Sequence, residues 1–230
     1  MKNCVAIITA RGGSKRISRK NVRNFLGKPI IEYSINAALQ AGCFTEVMVS
    51  TDDTEIAEVA LRAGAKVPFM RSVENSDDNA VTATVVREVL DTYAETGREF
   101  EYCCCIYPTA PFITSEKLNT AFELLDRSGA KSVVTVVPYS FPIFRSFKIE
   151  QGLLRMNWPK YMNTRSQDLR PTFHDCGQFY FLKVAAFLKE SVLFTDNTIP
   201  LEMNELEVQD IDTLIDWEIA EIKYQLKNNI

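Results

Sequence analysis

The chain has 230 residues, 46% hydrophobic and 24% charged, with a formal net charge of −4. That is the composition of an ordinary globular protein, large enough for one sizeable α/β domain with a proper core. No apolar run approaches the ~20 residues that a membrane span needs, so neither a membrane nor a nucleic-acid partner is expected.

The first ten residues, "MKNCVAIITA", join a lysine to a short apolar run. The run leads straight into "RGGSKR" rather than to a small-residue cleavage site, so no leader is expected and the cytoplasm is the expected compartment. "CVAIIT" itself reads as a strand buried on both faces. A basic loop follows: six of the thirteen residues from Arg11 to Arg23 are Arg or Lys, and none is acidic. In an open α/β sheet, the turn after the first strand is where phosphates bind. Gly12 and Gly13 let the backbone approach an anion, and Ser14 adds a hydroxyl donor. Arg11, Lys15 and Lys20 supply the charge to neutralise a triphosphate. The spacing is neither GxGxxG nor GxxxxGK[ST], which disfavours the dinucleotide and P-loop readings.

Strands and helices then alternate. "PIIEYSINAALQAG" has helical spacing, "TEVMVS" reads as a strand and "DTEIAEVALRAGA" as a helix. "KVPFM" is short and extended, and "TATVVREVLDTYAETG" is a helix closed by glycine. "YCCCIY" is a strand whose consecutive cysteines alternate faces and so cannot easily pair. With no CxxC spacing and a single histidine, His174, a zinc site is not expected. "SEKLNTAFELLDRSGA" is a helix and "KSVVTVVPY" a strand. This alternation predicts a mostly parallel sheet with helices on both faces. The pattern breaks across 139–172, where Pro142, Pro159 and Pro171 accompany scattered aromatics and arginines. That insertion is a lid, an arm or an oligomer contact, and the α/β domain comprises 1–138 and 173–230. "HDCGQFYFL" is a further strand, and a last amphipathic helix runs from about Asp212 to Leu226. Asp210 and Asp212, two apart at its entry, point the same way in an extended segment and can chelate a hard cation such as Mg²⁺. Alternatively, Asp212 caps the helix and Asp210 complements its dipole.

Taken together, "ARGGSKRISRKN", "STDD", "YPTAPF" and "QDIDT" resemble the acylneuraminate cytidylyltransferases, and the resemblance runs from the first strand to the last helix. It implies a three-layer αβα sandwich of the nucleotide-diphospho-sugar transferase kind with a protruding dimerisation arm. It also implies transfer of CMP from CTP to a nine-carbon keto sugar acid, with pyrophosphate released. Mg²⁺, or Mn²⁺ in its place, and a homodimer belong to the same picture. By this resemblance Arg11, Gly12, Gly13, Ser14, Lys15, Lys20 and Asn21 grip the nucleotide. Arg71 and Thr82 lie near it, and the "SDDNAVT" loop contributes to pyrimidine choice. Asp210 and Asp212 hold the metal, with Asp210 the candidate to assist proton removal. Tyr180 lines the sugar pocket, with Tyr107 and Thr109 on the same side, and Arg165 on the arm approaches the partner's site. Asp175 and Gln178, beside Gly177, which permits close approach, are read as sugar contacts, the alternative being ordinary polar residues at a strand edge. Tyr107 stands where sialic acid members usually have Gln, and "HDCGQFYF" replaces an Asn-Gly stretch. Together with "NTRSQDL", these features resemble the pseudaminic acid branch. The competing readings are transfer to N-acetylneuraminic, legionaminic or an eight-carbon acid, and a non-catalytic sugar-nucleotide-binding module.

Overall fold

The structure is a computed structural model that describes residues 2–77 and 80–229. In chain order, β1 is Cys4–Thr9, β2 Asn24–Phe25, β3 Lys28–Pro29, α1 Ile31–Ala41, β4 Glu46–Ser50, α2 Thr54–Arg62, α3 Thr82–Glu95 and β5 Tyr102–Ile106. After these come α4 Ser115–Arg127, β6 Ser132–Pro138, β7 Phe147–Glu150, β8 Leu153–Met156, β9 Phe173–Lys183, α5 Val184–Glu190, β10 Thr198–Glu202 and α6 Leu214–Asn228.

Six strands form the main sheet in the order β10-β6-β9-β5-β1-β4. The pairs β1–β4, β1–β5 and β6–β10 are parallel, while β9 runs antiparallel to both β5 and β6. The continuous apolar runs mark strands covered on both faces. Ala6, Ile8, Cys104 and Phe181 belong to one core with Ile35, Val59 and Leu118 from α1, α2 and α4. Val5, Ile7, Cys103, Cys105 and Tyr180 belong to the other, with Val86 and Tyr93 from α3 and Phe187 from α5. The expected three-layer sandwich is present. Among the described residues the cysteines are free, and Cys103, Cys104 and Cys105 are buried on alternating faces.

The segment 66–70, expected to be short and extended, touches the sheet through the bridge from Met48 to Lys66. Two local expectations change. β10 was not expected; it is an edge strand, where Pro200 forfeits no bond that a central strand would need. The entry to α6 is capped by Thr213, not Asp212. Thr213 Oγ1 accepts from the Asp216 N–H, and the Asp216 carboxylate accepts from the Thr213 N–H, a complete capping box.

A third core explains how the basic loop is anchored. Ile17, alone among its polar neighbours, is buried with Phe25, Tyr33, Phe112, Ile211 and Trp217. This apolar plug fastens the loop to the segment that carries Asp210 and Asp212. Within the segment 139–172, β7 and β8 pair as a hairpin. Phe144 is buried against Trp158 and Tyr161 rather than exposed, whereas Phe147, Ile149 and Leu154 face outward.

Candidate active site

The carboxyl ends of β1 and β5 open into a cleft of about 360 Å³. Its walls include Arg11, Ser14, Lys15, Lys20 and Asn21 from the basic loop, Arg71 and Thr82 from the segments after β4, and Tyr107 and Thr109 after β5. Residues from distant parts of the sequence are thus brought to one polar concavity.

Each wall has a local cause. Asn21 Nδ2 donates to the Arg11 carbonyl at 2.8 Å, which closes the loop on itself. Arg11 Nη1 donates to the Asp77 carbonyl at 3.0 Å, tying the loop to the opposite rim. Arg71 is 8% exposed, and its Nε donates to Ser50 Oγ at 3.0 Å. Burial lowers the pKa of its guanidinium. Thr82 Oγ1 and the Tyr107 hydroxyl are 3.2 Å apart. Burial raises the Tyr107 phenol, so it remains a neutral hydrogen-bonding group.

Gly12 has a different role from the one expected. Its N–H donates to Asp52 Oδ1 at 2.8 Å, and a Cβ at this position would lie 2.7 Å from Asp53 Oδ2. Glycine is therefore required by close approach of the protein's own carboxylates. Gly13 has open space around it, and Ser14 N–H donates to the Gly12 carbonyl at 2.9 Å.

The aspartate pair stands beside the cleft. Lys20 Nζ donates to the Ile211 carbonyl at 2.6 Å and lies 3.8 Å from Asp212 Oδ1. Arg16 Nη2 pairs with the same Asp212 oxygen at 2.6 Å. Burial raises the Asp210 carboxyl, and the neighbouring Asp212 charge raises it further. Burial also lowers the Lys20 ammonium, against the pull of Asp212 and Asp210. Among the described residues no cluster of three or more His, Cys, Asp or Glu side chains forms a metal cage. Two crowded carboxylates instead suit a hard cation that takes its remaining ligands from phosphate and water, as Mg²⁺ does.

A second depression of about 300 Å³ adjoins Asp210 and is also lined by Asp175, His174 and Lys223. Asp175 Oδ1 accepts the Gly177 N–H at 2.9 Å, and Oδ2 accepts the Tyr180 hydroxyl at 2.5 Å. Tyr180 is 2% exposed and sits behind Tyr107, ring centroids 5.6 Å apart, so it supports the wall rather than forming its surface. Gln178 is 1% exposed; its Nε2 donates to the Glu207 carbonyl at 2.6 Å, while its Oε1 has no hydrogen-bond partner among the described residues. Arg165 is exposed in the segment 139–172, forked to Asp168, and lines neither of these two cavities. Asp78 and Asn79 of "SDDNAVT" lie outside the described residues. The reading from sequence missed His174 at the second depression, Ile17 as the loop's anchor, and the hydrogen bonding of "STDD". Only the last had a signal, its position directly at the end of a strand.

Comparison with known proteins first defines the class. A solved CMP:2-keto-3-deoxy-manno-octonic acid synthetase, complexed with CTP, superposes with a TM-score of 0.70 at 16% identity, covering 100% of both chains. The likeness is one of fold: an α/β sandwich built on a mostly parallel sheet. The model of the family described as "Cytidylyltransferase" matches residues 5–213, and the chain belongs to that family. It is 41% identical to a pseudaminic acid cytidylyltransferase of Campylobacter jejuni over 229 residues, 99% of this chain and 98% of the relative. It is 34% identical to a CMP-N,N'-diacetyllegionaminic acid synthase of Legionella pneumophila, covering 94% of each.

Proposed function

We propose that this chain transfers CMP from CTP to the anomeric hydroxyl of a nonulosonic acid, pseudaminic acid, and releases pyrophosphate. The observation that carries the reading is the end-to-end similarity to the pseudaminic acid cytidylyltransferase. The cleft lined by Arg11, Ser14, Lys15, Lys20 and Arg71 supports the nucleotide half of it.

In this reading the triphosphate lies along the basic loop. The anomeric oxygen attacks the α-phosphorus in line; the new O–P bond forms as the bond to the bridging oxygen of the pyrophosphate breaks. Arg11, Lys15 and Lys20 stabilise the charge that builds on the departing pyrophosphate, and Ser14 donates to a phosphate oxygen. Each charge-assisted hydrogen bond contributes roughly 1.5–3 kcal/mol. We assign acceptance of the hydroxyl proton to a carboxylate oxygen of Asp210. Asp210 and Asp212 are the residues that would hold Mg²⁺, which when bound would lower the charge on the phosphates. Tyr107, Thr109 and Asp175 face the sugar acid, with Tyr180 and Gln178 supporting them from behind. We further propose a homodimer joined through the 139–172 arm, so that Arg165 reaches the partner's sugar site, and a cytoplasmic location. No helix among the described residues is long and apolar enough to cross a membrane.

A second substrate is favoured by one observation: the legionaminic acid relative covers nearly as much of the chain. Pyrophosphate release with CTP and each sugar acid supplied separately tests both. Release with pseudaminic acid supports the first reading, and release only with the legionaminic acid replaces it.

A further inference from the structure

The "STDD" stretch, Ser50 to Asp53, has no part in the chemistry above, yet it gathers the site. The Ser50 carbonyl accepts the Ala10 N–H at 3.0 Å, and Ser50 Oγ holds Arg71. The Thr51 carbonyl accepts the Arg71 N–H at 2.8 Å. Asp52 holds the Gly12 amide. Asp53 faces Arg19, at the far end of the basic loop. Arg19 Nη1 donates to Asp53 Oδ2 at 2.5 Å and Nη2 to Oδ1 at 2.9 Å, a planar fork matched to a carboxylate.

The backbone of Arg19 makes the fork consequential. Its φ is 54° and ψ 34°, the left-handed region that a residue with a long side chain seldom enters. From that conformation it begins the 3₁₀ turn Lys20–Val22, with the Arg19 carbonyl accepting the Val22 N–H at 3.1 Å. That turn points Lys20 at the Ile211 carbonyl and buries Asn21.

We propose that Asp53, acting through Arg19, is a positioning residue for the basic loop: the fork holds residue 19 in its left-handed conformation, and that conformation aims Lys20 toward the Asp210–Asp212 segment. The inference rests on the function proposed above. The Arg19 hydrogen bond holds the Asp53 carboxyl down at about 2, so the fork stays charged at neutral pH. Asp53 has a second, separable task. Its Oδ1 accepts the Ile56 N–H at 3.0 Å and so caps α2. Asparagine caps a helix as well as aspartate does, but it cannot offer Arg19 two charged oxygens. Asp53→Asn therefore removes the charged fork and keeps the cap, leaving Arg19 only its single-pronged contact with Glu55. Arg19→Gly removes the fork from the other side; glycine enters both signs of φ about equally, so residue 19 is no longer held in the left-handed region and Lys20 loses its fixed aim.

The experiment compares both variants with the wild type in kcat, KM for CTP, melting temperature and the rate of tryptic cleavage at Arg11 to Lys20. A loop released from its anchor opens more often, so cleavage there should rise about tenfold or more. Misplaced by an ångström, Lys20 should cost turnover roughly 100-fold. That loss should exceed any rise in KM, because Arg11, Ser14 and Lys15 still bind the nucleotide, and the melting temperature should fall by only a few degrees. Wild-type kinetics and wild-type cleavage in both variants would overturn the proposal. So would a strongly destabilised Asp53→Asn beside an Arg19→Gly with normal kinetics, which would leave Asp53 a cap and nothing more. If the wild type forms no CMP-sugar, the function above fails; faster cleavage in both variants would still support the anchor.

Discussion

Replacing Asp212 with asparagine separates a structural carboxylate from a catalytic one. Thr213 and Asp216 cap α6, so the helix does not need Asp212. What Asp212 does contribute is an ion pair with Arg16 at 2.6 Å and a longer one with Lys20 at 3.8 Å, with the aspartate side chain 37% exposed. Partly exposed pairs of this kind contribute about 0.2–1 kcal/mol. In a domain of this size that corresponds to a fall of at most ~4 °C in melting temperature. The effect on turnover should be far larger if the pair holds a divalent cation, because an amide removes a charge the cation needs. A loss of ~3 kcal/mol of charge stabilisation corresponds to roughly 100-fold in rate. The assay is pyrophosphate release against Mg²⁺ concentration for wild type, Asp210→Asn and Asp212→Asn, alongside thermal melts. Both variants should melt near the wild type and lose most turnover, with partial recovery at raised Mg²⁺ or Mn²⁺. Near-normal rates for both at low Mg²⁺ would refute the metal assignment.

Lys15→Ala should lower turnover at least about tenfold through the loss of one charge-assisted contact, with the melting temperature nearly unchanged; full turnover would remove Lys15 from the mechanism. Glu46 predicts an acid-sensitive stability: its side chain, 1% exposed, accepts from Arg98, Lys66 and Tyr93. Burial alone would raise this carboxyl, but those hydrogen bonds outweigh it and hold it at about 2, against 4.5 ordinarily. The folded value lies below the unfolded one, so the contribution, on the order of 3 kcal/mol, is present in full above about pH 4.5 and is lost as pH falls toward 2. Urea unfolding should show that loss in the wild type and a flatter acid profile in Glu46→Gln; parallel profiles would contradict it. For the arm, light scattering should give a dimer, and Ile149→Asp together with Leu154→Asp on its outward face should give a monomer with reduced activity; a fully active monomeric wild type would refute the exchange.

The layers of the fold were legible because they rest on periodicity. Continuous apolar strands such as "CVAIIT" and amphipathic helices such as α2 carry their burial in their spelling. β10 did not, because an edge strand needs no apolar alternation and Pro200 reads as a breaker. The cleft was legible as far as charge and placement carry: Arg11, Lys15 and Lys20 after β1 do line one cavity. The partners of Gly12 were not. A glycine admitting a ligand and one admitting a neighbouring aspartate look alike in one dimension, and only folding brings Asp52 and Asp53 against the loop. Asp212 as a possible cap was undecidable for the same kind of reason, since Thr213 next to it competes for the position. Burial of Phe144 depends on Trp158 and Tyr161 folding back over it, contacts internal to an insertion without regular spacing.

The central claim is CMP transfer to pseudaminic acid. One measurement tests it most directly: product analysis after incubating the purified chain with Mg²⁺, CTP and pseudaminic acid, with N-acetylneuraminic and legionaminic acids in parallel. One pyrophosphate should appear for each CMP-pseudaminic acid formed, at a rate well above those of the other two acids. Absence of CMP-pseudaminic acid, whether or not another acid is transferred, would contradict the claim.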